Sequence, residues 1–260
     1  MIKDVILYRN AAGQGASLAK KSKYDLTVPP RFLYRYRPLH YEFSSIQQML
    51  ERDRWWFGSR TKFDDSEDML SPEYDFVDSG IARRARAENQ EFMNNTGVLC
   101  LSISAKQPRL WEEYAAAGKG ICIKLESDYI VDPDDGPFRV NYSDDAKSLW
   151  KPFQDNPNPL VYLLQKKKFW SYQGEWRCVA RWYPGDKPTV GYRSMWHKRA
   201  LAGLIFGWDT SREERAKILS WLNSGWGRWL RRVEFADDFR LNLQEARLNG
   251  GSIELLDYRP

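Results

Sequence analysis

The sequence predicts an α+β domain: a mixed β-sheet core with helices packed on its flanks. Three observations lead there. The 260 residues, 42% hydrophobic, suffice to bury a core in one large domain. Short runs with period-two alternation are interspersed with helical patterns. The two kinds of segment mix without the strict β-α-β order of a doubly wound parallel sheet, and no internal repeat is visible.

The elements follow in order. Residues 1–30 read as a loop-rich lead-in, and residues 31–260 as a single α+β catalytic domain. Gly13-Gln14-Gly15 is followed by no Gly-Lys-Ser/Thr, so it is not a phosphate loop. Residues 32–37 alternate as a strand that Pro38 ends. Ser45 to Arg52 reads as a helix with Ile46, Met49 and Leu50 on one face. Arg54 to Ser59 reads as a second strand, running into the acidic loop Asp64-Asp65-Ser66-Glu67-Asp68. Residues 80–95 are helical in character, and Val98 to Ser104 is a strand. Pro108 opens a helix through Ala115, which Gly118-Lys119-Gly120 stops. Ile121 to Leu125 is a strand. Residues 131–160, rich in Asp, Pro and Asn, read as a long surface region. Trp170 to Ala180 reads as an extended segment. Ala200 to Gly207 is an apolar run. The capping box Ser211-Arg212-Glu213-Glu214 opens a helix to about Leu222. Gly225 to Trp229 is a turn-like tryptophan cluster, and Val233-Glu234-Phe235 and Arg240 to Leu243 close as strands.

Composition narrows the function classes. No run of about 18 apolar residues exists, so no membrane span is expected, and the start Met1 to Val5 gives no signal peptide. Cys100, Cys122 and Cys178 lack metal-ligand spacing and sit in apolar runs, which points to reduced thiols and a cytoplasmic setting. Two histidines, His40 and His197, offer neither a zinc site nor a serine triad. The net charge of +5 suits an anionic ligand such as a dinucleotide or a nucleic acid. Twelve tryptophans supply both core and flat stacking surfaces.

The most informative stretch is Trp170-Ser171-Tyr172-Gln173-Gly174-Glu175-Trp176-Arg177. In an extended chain residues i and i+2 share a face, so the Gln173 carboxamide and the Glu175 carboxylate can enter one pocket. With this stretch, the blocks Leu33 to Leu39, Phe57-Gly58-Ser59 with Phe63-Asp64-Asp65, Cys100-Leu101-Ser102, Leu110 to Tyr114 and Gly120 to Ile123 occur in an order that resembles a bacterial family of unknown function, over roughly residues 33–250. That family usually has Glu at the place of Gln173 and Asn-Asp-Pro at Asp64-Asp65-Ser66.

More distantly, the order of a basic residue on an early strand (Arg35 or Arg37), Ser102-Ile103-Ser104 on a middle strand and Gln173-Gly174-Glu175 on a later one resembles the Arg-Ser-Glu class of mono-ADP-ribosyltransferases. The resemblance implies a split β-sheet fold and NAD as co-substrate, cleaved at its N-glycosidic bond through a cationic ribose. Glu175 would stabilise that charge. Gln173 would orient the nucleophile, as in enzymes that act on guanine bases or amide side chains. Arg35 or Arg37 would clamp a phosphate. Ser102 would fix the Glu175 rotamer, with Ser104 beside it, and Trp111 or Tyr114 would stack on nicotinamide. The acceptor would be a macromolecule, a nucleic-acid base slightly ahead of a protein side chain, and a role in toxin action or phage defence would fit. Two other classes stay open: a non-enzymatic nucleic-acid or protein binder, and a Mg²⁺-dependent nuclease using Asp64, Asp65 and Asp68 with Glu175.

Overall fold

The computed structural model describes residues 28–39, 43–63, 68–69, 80–130, 136–144, 160–194, 200–225 and 241–259. The expectations for residues 1–27, His40, Asp64, Asp65, His197 and the segment 226–240 lie outside them.

The α+β expectation holds: one large mixed sheet carries several helices. In chain order the elements are β1 (Phe32–Pro38), α1 (Phe43–Arg52), β2 (Arg54–Phe57), α2 (Gly80–Asn95), β3 (Gly97–Ser102), α3 (Pro108–Tyr114), β4 (Gly120–Glu126), β5 (Phe138–Arg139), β6 (Asn141–Tyr142), α4 (Leu160–Leu163), β7 (Gln165–Lys166), β8 (Glu175–Ala180), β9 (Gly191–Ser194), β10 (Leu201–Phe206), α5 (Arg212–Ser224), β11 (Asn242–Asn249) and β12 (Ser252–Asp257).

The main sheet runs β12-β11-β10-β4-β1-β3-β8-β5, with β10 and β11 parallel and the other pairs antiparallel. β1 pairs with β4 along its whole length, from Phe32 opposite Glu126 to Pro38 opposite Gly120. On its other side β1 meets β3 at a single position, Tyr34 opposite Ser102. The sheet therefore consists of a five-stranded wing and a three-stranded wing that touch at one residue pair and then diverge.

Each wing is covered according to its residue alternation. α1 and α5 close one face, where Ile46, Met49 and Leu50 meet Ile218, Trp221 and Leu222 over Leu33, Ile121, Ile123 and Leu204. The capping box forms: Ser211 Oγ accepts the Glu214 N–H and Glu214 Oε2 accepts the Ser211 N–H. α3 closes the opposite face of the larger wing, with Leu110 and Trp111 against Tyr36, Cys122 and Ile205. A third cluster of Met93, Val98, Phe138, Tyr162, Leu163 and Val179 backs the smaller wing. Among the described residues no helix is long and apolar enough to cross a membrane.

Four local expectations are corrected. The middle strand ends at Ser102, so Ser102-Ile103-Ser104 is not one strand. The segment 131–160 contributes β5 and β6 where only a surface region was expected. Their two-residue lengths carry too little alternation to read. The closing strand is half of a hairpin, β11–β12, joined at Gly250-Gly251. Trp111 lies in the core and not on the cleft: it is fully buried, its Nε1–H donates to the Ala105 carbonyl at 2.8 Å, and Tyr36 stands edge-on to it at 5.3 Å. Truncating it to alanine removes a large core ring together with a satisfied buried donor. Trp111→Ala lowers unfolding free energy by about 3–5 kcal/mol, read as a fall in the urea midpoint with unchanged slope.

Candidate functional site

A cleft of about 900 Å³ opens along the seam where β1 and β3 diverge. Tyr34, Arg35, Tyr36 and Arg37 from β1, Cys100 and Ser102 from β3, and Glu175 from β8 line it, with Gln173, Lys166 and Asp68. Tyr114, Trp56, Trp170 and Tyr192 form its aromatic walls. The volume lies within the range of small-molecule and cofactor sites. The two arginines of β1 are not joined to the cleft by chance. Where β1 lacks a β3 partner, Arg35 Nη1 donates to the Cys100 carbonyl at 2.7 Å, and Arg37 Nη2 donates to Ser45 Oγ on α1 at 2.9 Å. Arg35 thus spans the gap and satisfies a carbonyl that a continuous ladder would have paired.

Gln173 and Glu175 both reach the cleft, but not by strand alternation. Residues Lys168–Gln173 form a 3₁₀ turn, Gly174 is left-handed with φ 50°, and Glu175 begins β8. The turn requires glycine, since a Cβ at Gly174 would stand 2.6 Å from Ile103 Cγ1 and the left-handed conformation is strained for other residues. Ser102 holds this geometry in a way different from that expected. Its Oγ donates to the Gln173 carbonyl at 2.7 Å and makes no bond to the Glu175 carboxylate that the structure records. The Gln173 Nε2–H donates to Tyr114 Oη at 3.0 Å. Ser104 takes no part in the lining: its Oγ accepts the Lys106 N–H and its carbonyl accepts the Tyr36 hydroxyl.

The floor of the cleft is a buried ionic quartet. Arg177 Nε donates to Glu175 Oε1 at 2.8 Å, and its Nη2 donates to both Asp68 oxygens at 2.8 Å and to Glu175 Oε2 at 3.2 Å. Lys166 Nζ lies 3.0 Å from Glu175 Oε2 and 3.2 Å from Asp68 Oδ2. Arg177 Nη1 donates to the Leu163 carbonyl at 2.6 Å. All four side chains are buried, and two anions balance two cations. Burial by itself would raise the Glu175 pKa. The charges of Arg177 and Lys166 and the Arg177 hydrogen bonds outweigh it and hold the carboxyl at about 2. Burial likewise opposes the charge on Lys166, but Glu175 and Asp68 override it and raise its pKa.

A quartet of this kind is expensive to desolvate, and apolar residues of the same volume would generally stabilise a core as well or better. Its position under a cleft makes it the candidate functional feature of the chain. Chemically it offers a carboxylate that is ionised at every physiological pH and has one orientation. The carboxylate has about four acceptor sites. Three are taken by Arg177 and Lys166, and the remaining capacity faces the weak S–H donor of Cys100.

Sequence reasoning had not singled out Lys166 and Arg177. Arg177 was legible, because it stands two residues from Glu175 on one strand and so shares its face. Lys166 stands in a Lys-Lys-Lys run, where no local pattern marks one lysine for burial. Asp68 was named only as a metal ligand. Its oxygens face Arg177 and Lys166 instead, and among the described residues no group of three His, Cys, Asp or Glu could hold a metal ion. Cys122 and Cys178 are buried thiols as expected, whereas Cys100 is partly exposed on the cleft.

No family model matches this chain, and no curated protein or solved structure matches it either.

The quartet makes stability depend on acid. A carboxyl whose folded pKa of about 2 lies below its ordinary 4.5 contributes stability that is complete above about pH 4.5 and is lost as pH falls toward 2. Glu175→Gln removes that titration and leaves two buried cations facing one anion. Urea midpoints measured against pH should show the variant less stable at neutral pH and with a shallower loss between pH 4.5 and 2. A parallel offset at every pH would mean the carboxyl is not held low.

Proposed function

We propose that this protein is a NAD-consuming mono-ADP-ribosyltransferase of the Arg-Ser-Glu kind acting on a macromolecular acceptor. The observation that carries the reading is the convergence, in one cleft at the sheet seam, of Arg35, Arg37, Ser102, Tyr114, Gln173 and Glu175 from four separate chain segments. A split mixed sheet whose opening holds such a set is what an ADP-ribosyltransferase-like fold requires.

NAD, when bound, supplies the N-glycosidic bond that is broken. The chain's own residues divide the work. Glu175, fixed and ionised, meets the positive charge that develops at the ribose and has acceptor capacity for a ribose hydroxyl. A preorganised charge in a water-poor cleft needs no reorganisation during reaction, which is where most of its effect arises. Arg35 and Arg37 offer planar donor forks to a pyrophosphate, and Tyr114 and Trp170 offer ring faces. Ser102, by holding the Gln173 carbonyl, is a positioning residue for the turn. Gln173 can donate and accept through its amide toward the incoming nucleophile.

Three free thiols agree with a cytoplasmic setting, where NAD is available. Membership of the bacterial family of unknown function and a role as a toxin or phage-defence effector belong to the same proposal, by analogy. The Mg²⁺ nuclease reading is weaker: Asp64 and Asp65 lie outside the described residues, and Asp68 and Glu175 already face cations.

The test is nicotinamide release, followed with the protein, NAD and a cell extract as acceptor source. Glu175→Gln should lower release by at least about two orders of magnitude, with circular dichroism confirming that the variant is folded at the assay temperature. Unchanged turnover refutes the assignment. Gln173→Ala, which removes the amide's contacts with Tyr114 and Tyr172 and no part of the quartet, should lose acceptor labelling while retaining slow hydrolysis of NAD. Equal loss of both would move Gln173 to the NAD side of the cleft.

A further inference from the structure

The cleft has two ends, and the set around Glu175 fills only one of them. At the narrow end Tyr34 pairs with Ser102, whose hydroxyl holds the Gln173 carbonyl. From there β1 and β3 diverge toward Val98, where Gly58 closes the far end. Gly58 and Val98 exchange both backbone hydrogen bonds, at 2.9 and 2.8 Å. Val98 and Ser102 stand four residues apart on one strand, which separates the two ends by about 13 Å. Arg35 and Arg37 line the stretch between, one and three residues past Tyr34 on β1.

The far end is walled by rings. β2 carries two consecutive tryptophans, and strand alternation sends them to opposite faces. Trp55 is 1% exposed and joins the core, whereas Trp56 is 38% exposed and lines the cleft. Directly opposite Trp56 on β9 stands Tyr192, and the two rings meet at 5.0 Å with planes 73° apart, forming a corner. Arg54 lies over the Tyr192 ring at 6.0 Å, so Trp56 is the ring that remains for stacking. Among the described residues Trp56 makes no other ring or cation contact, and no acceptor takes its indole N–H. That N–H lies beside Gly58, where a Cβ would stand 3.8 Å from Nε1 and the missing side chain leaves the approach open.

A flat ring with an unused donor at its edge fits a nucleobase, whose face stacks on the indole and whose ring nitrogen accepts the N–H. The cleft's volume of about 900 Å³ is at the upper end of the range for small-molecule sites, more than one base and one sugar occupy. The order along the seam is stacking ring, guanidinium forks, fixed carboxylate. It matches base, phosphates and reacting ribose in succession.

We infer that the Trp56–Tyr192 corner is an adenine subsite, so that NAD lies along the seam with its adenine on the β2–β9 ribbon and its nicotinamide ribose at Glu175. The identity of the ligand rests on the transferase reading. The orientation leaves the Gln173 end of the cleft open to the acceptor.

The experiment is calorimetric titration of the full chain with ADP-ribose, which keeps the adenine and the pyrophosphate and lacks the bond that is broken. Binding should weaken about tenfold in Trp56→Ala, the loss of one base–aromatic stack, and Trp56→Tyr should recover most of it. Trp56 belongs to no core cluster, so its truncation opens no core cavity, and a thermal melt checks the fold. In nicotinamide release, Trp56→Ala should raise KM for NAD about tenfold and keep kcat within about twofold, because a contact remote from the breaking bond is made alike in ground and transition states. The inference is overturned if the intact chain does not bind ADP-ribose, or if Trp56→Ala binds it like the parent. It is equally overturned if kcat falls as far as kcat/KM, which would put Trp56 at the reacting end. The two readings fail separately. Trp56-dependent binding of ADP-ribose without nicotinamide release removes the transferase chemistry and keeps the subsite. Nicotinamide release beside Trp56-independent binding keeps the chemistry and removes the subsite.

Discussion

The single pairing of Tyr34 with Ser102 is the constraint on which the rest of this structure depends. A sheet of eight strands gains most by continuous ladders, because every unpaired buried peptide group costs free energy. Here the ladder between β1 and β3 stops after one contact, and side chains take over its role. Arg35 bonds the Cys100 carbonyl, and Arg37 reaches across to α1. Two cations are thereby held at the mouth of the gap, and the gap is the cleft. The opening is thus written into β1 itself, in the arginines that alternate with Tyr34 and Tyr36.

The quartet is the second consequence of that opening. On the cleft face of β8 the side chains are buried, with Lys166 of β7 and the Leu163 carbonyl of α4 lying against them. Glu175 and Arg177, two apart on β8, face the same way and pair. Asp68 and Lys166, arriving from separate segments, complete an alternating square. Removing any one member leaves an uncompensated buried charge, so the set is retained or lost together. This explains how a carboxylate can be both deeply buried and permanently ionised, a combination that neither burial nor a lone ion pair would give.

Much of the framework was legible in the sequence, and the reasons differ by element. β1, β4 and the capped helix α5 declared themselves through alternation, apolar content and the Ser211–Glu214 box, all local signals. The cleft set was legible in part: Gln173 and Glu175 were found by spacing, although the turn at Gly174 makes their convergence a matter of a left-handed glycine and not of strand geometry. Trp111 misled because a tryptophan on a short helix reads the same whether it faces core or ligand, and only the position of Tyr36 and the Ala105 carbonyl decides. Asp68 and Lys166 were illegible as a pair, since they stand far apart in the chain and no local pattern ties an acidic loop to a lysine run.

The turn at Gly174 connects these levels. A strand continued back through Gln173 would place the carboxamide and the carboxylate side by side on one face, both against the quartet. The left-handed residue instead lifts Gln173 toward Tyr114 and α3 while Glu175 stays among the cations, and Ser102 locks the lifted carbonyl. One side chain is left committed to fixed charge and the other to a neutral amide at the rim, next to the exposed rings of the preceding turn. Six residues of 3₁₀ structure thus separate two chemical environments that the sequence writes two positions apart. That separation lets a single cleft hold a charged floor and a neutral, aromatic rim at once.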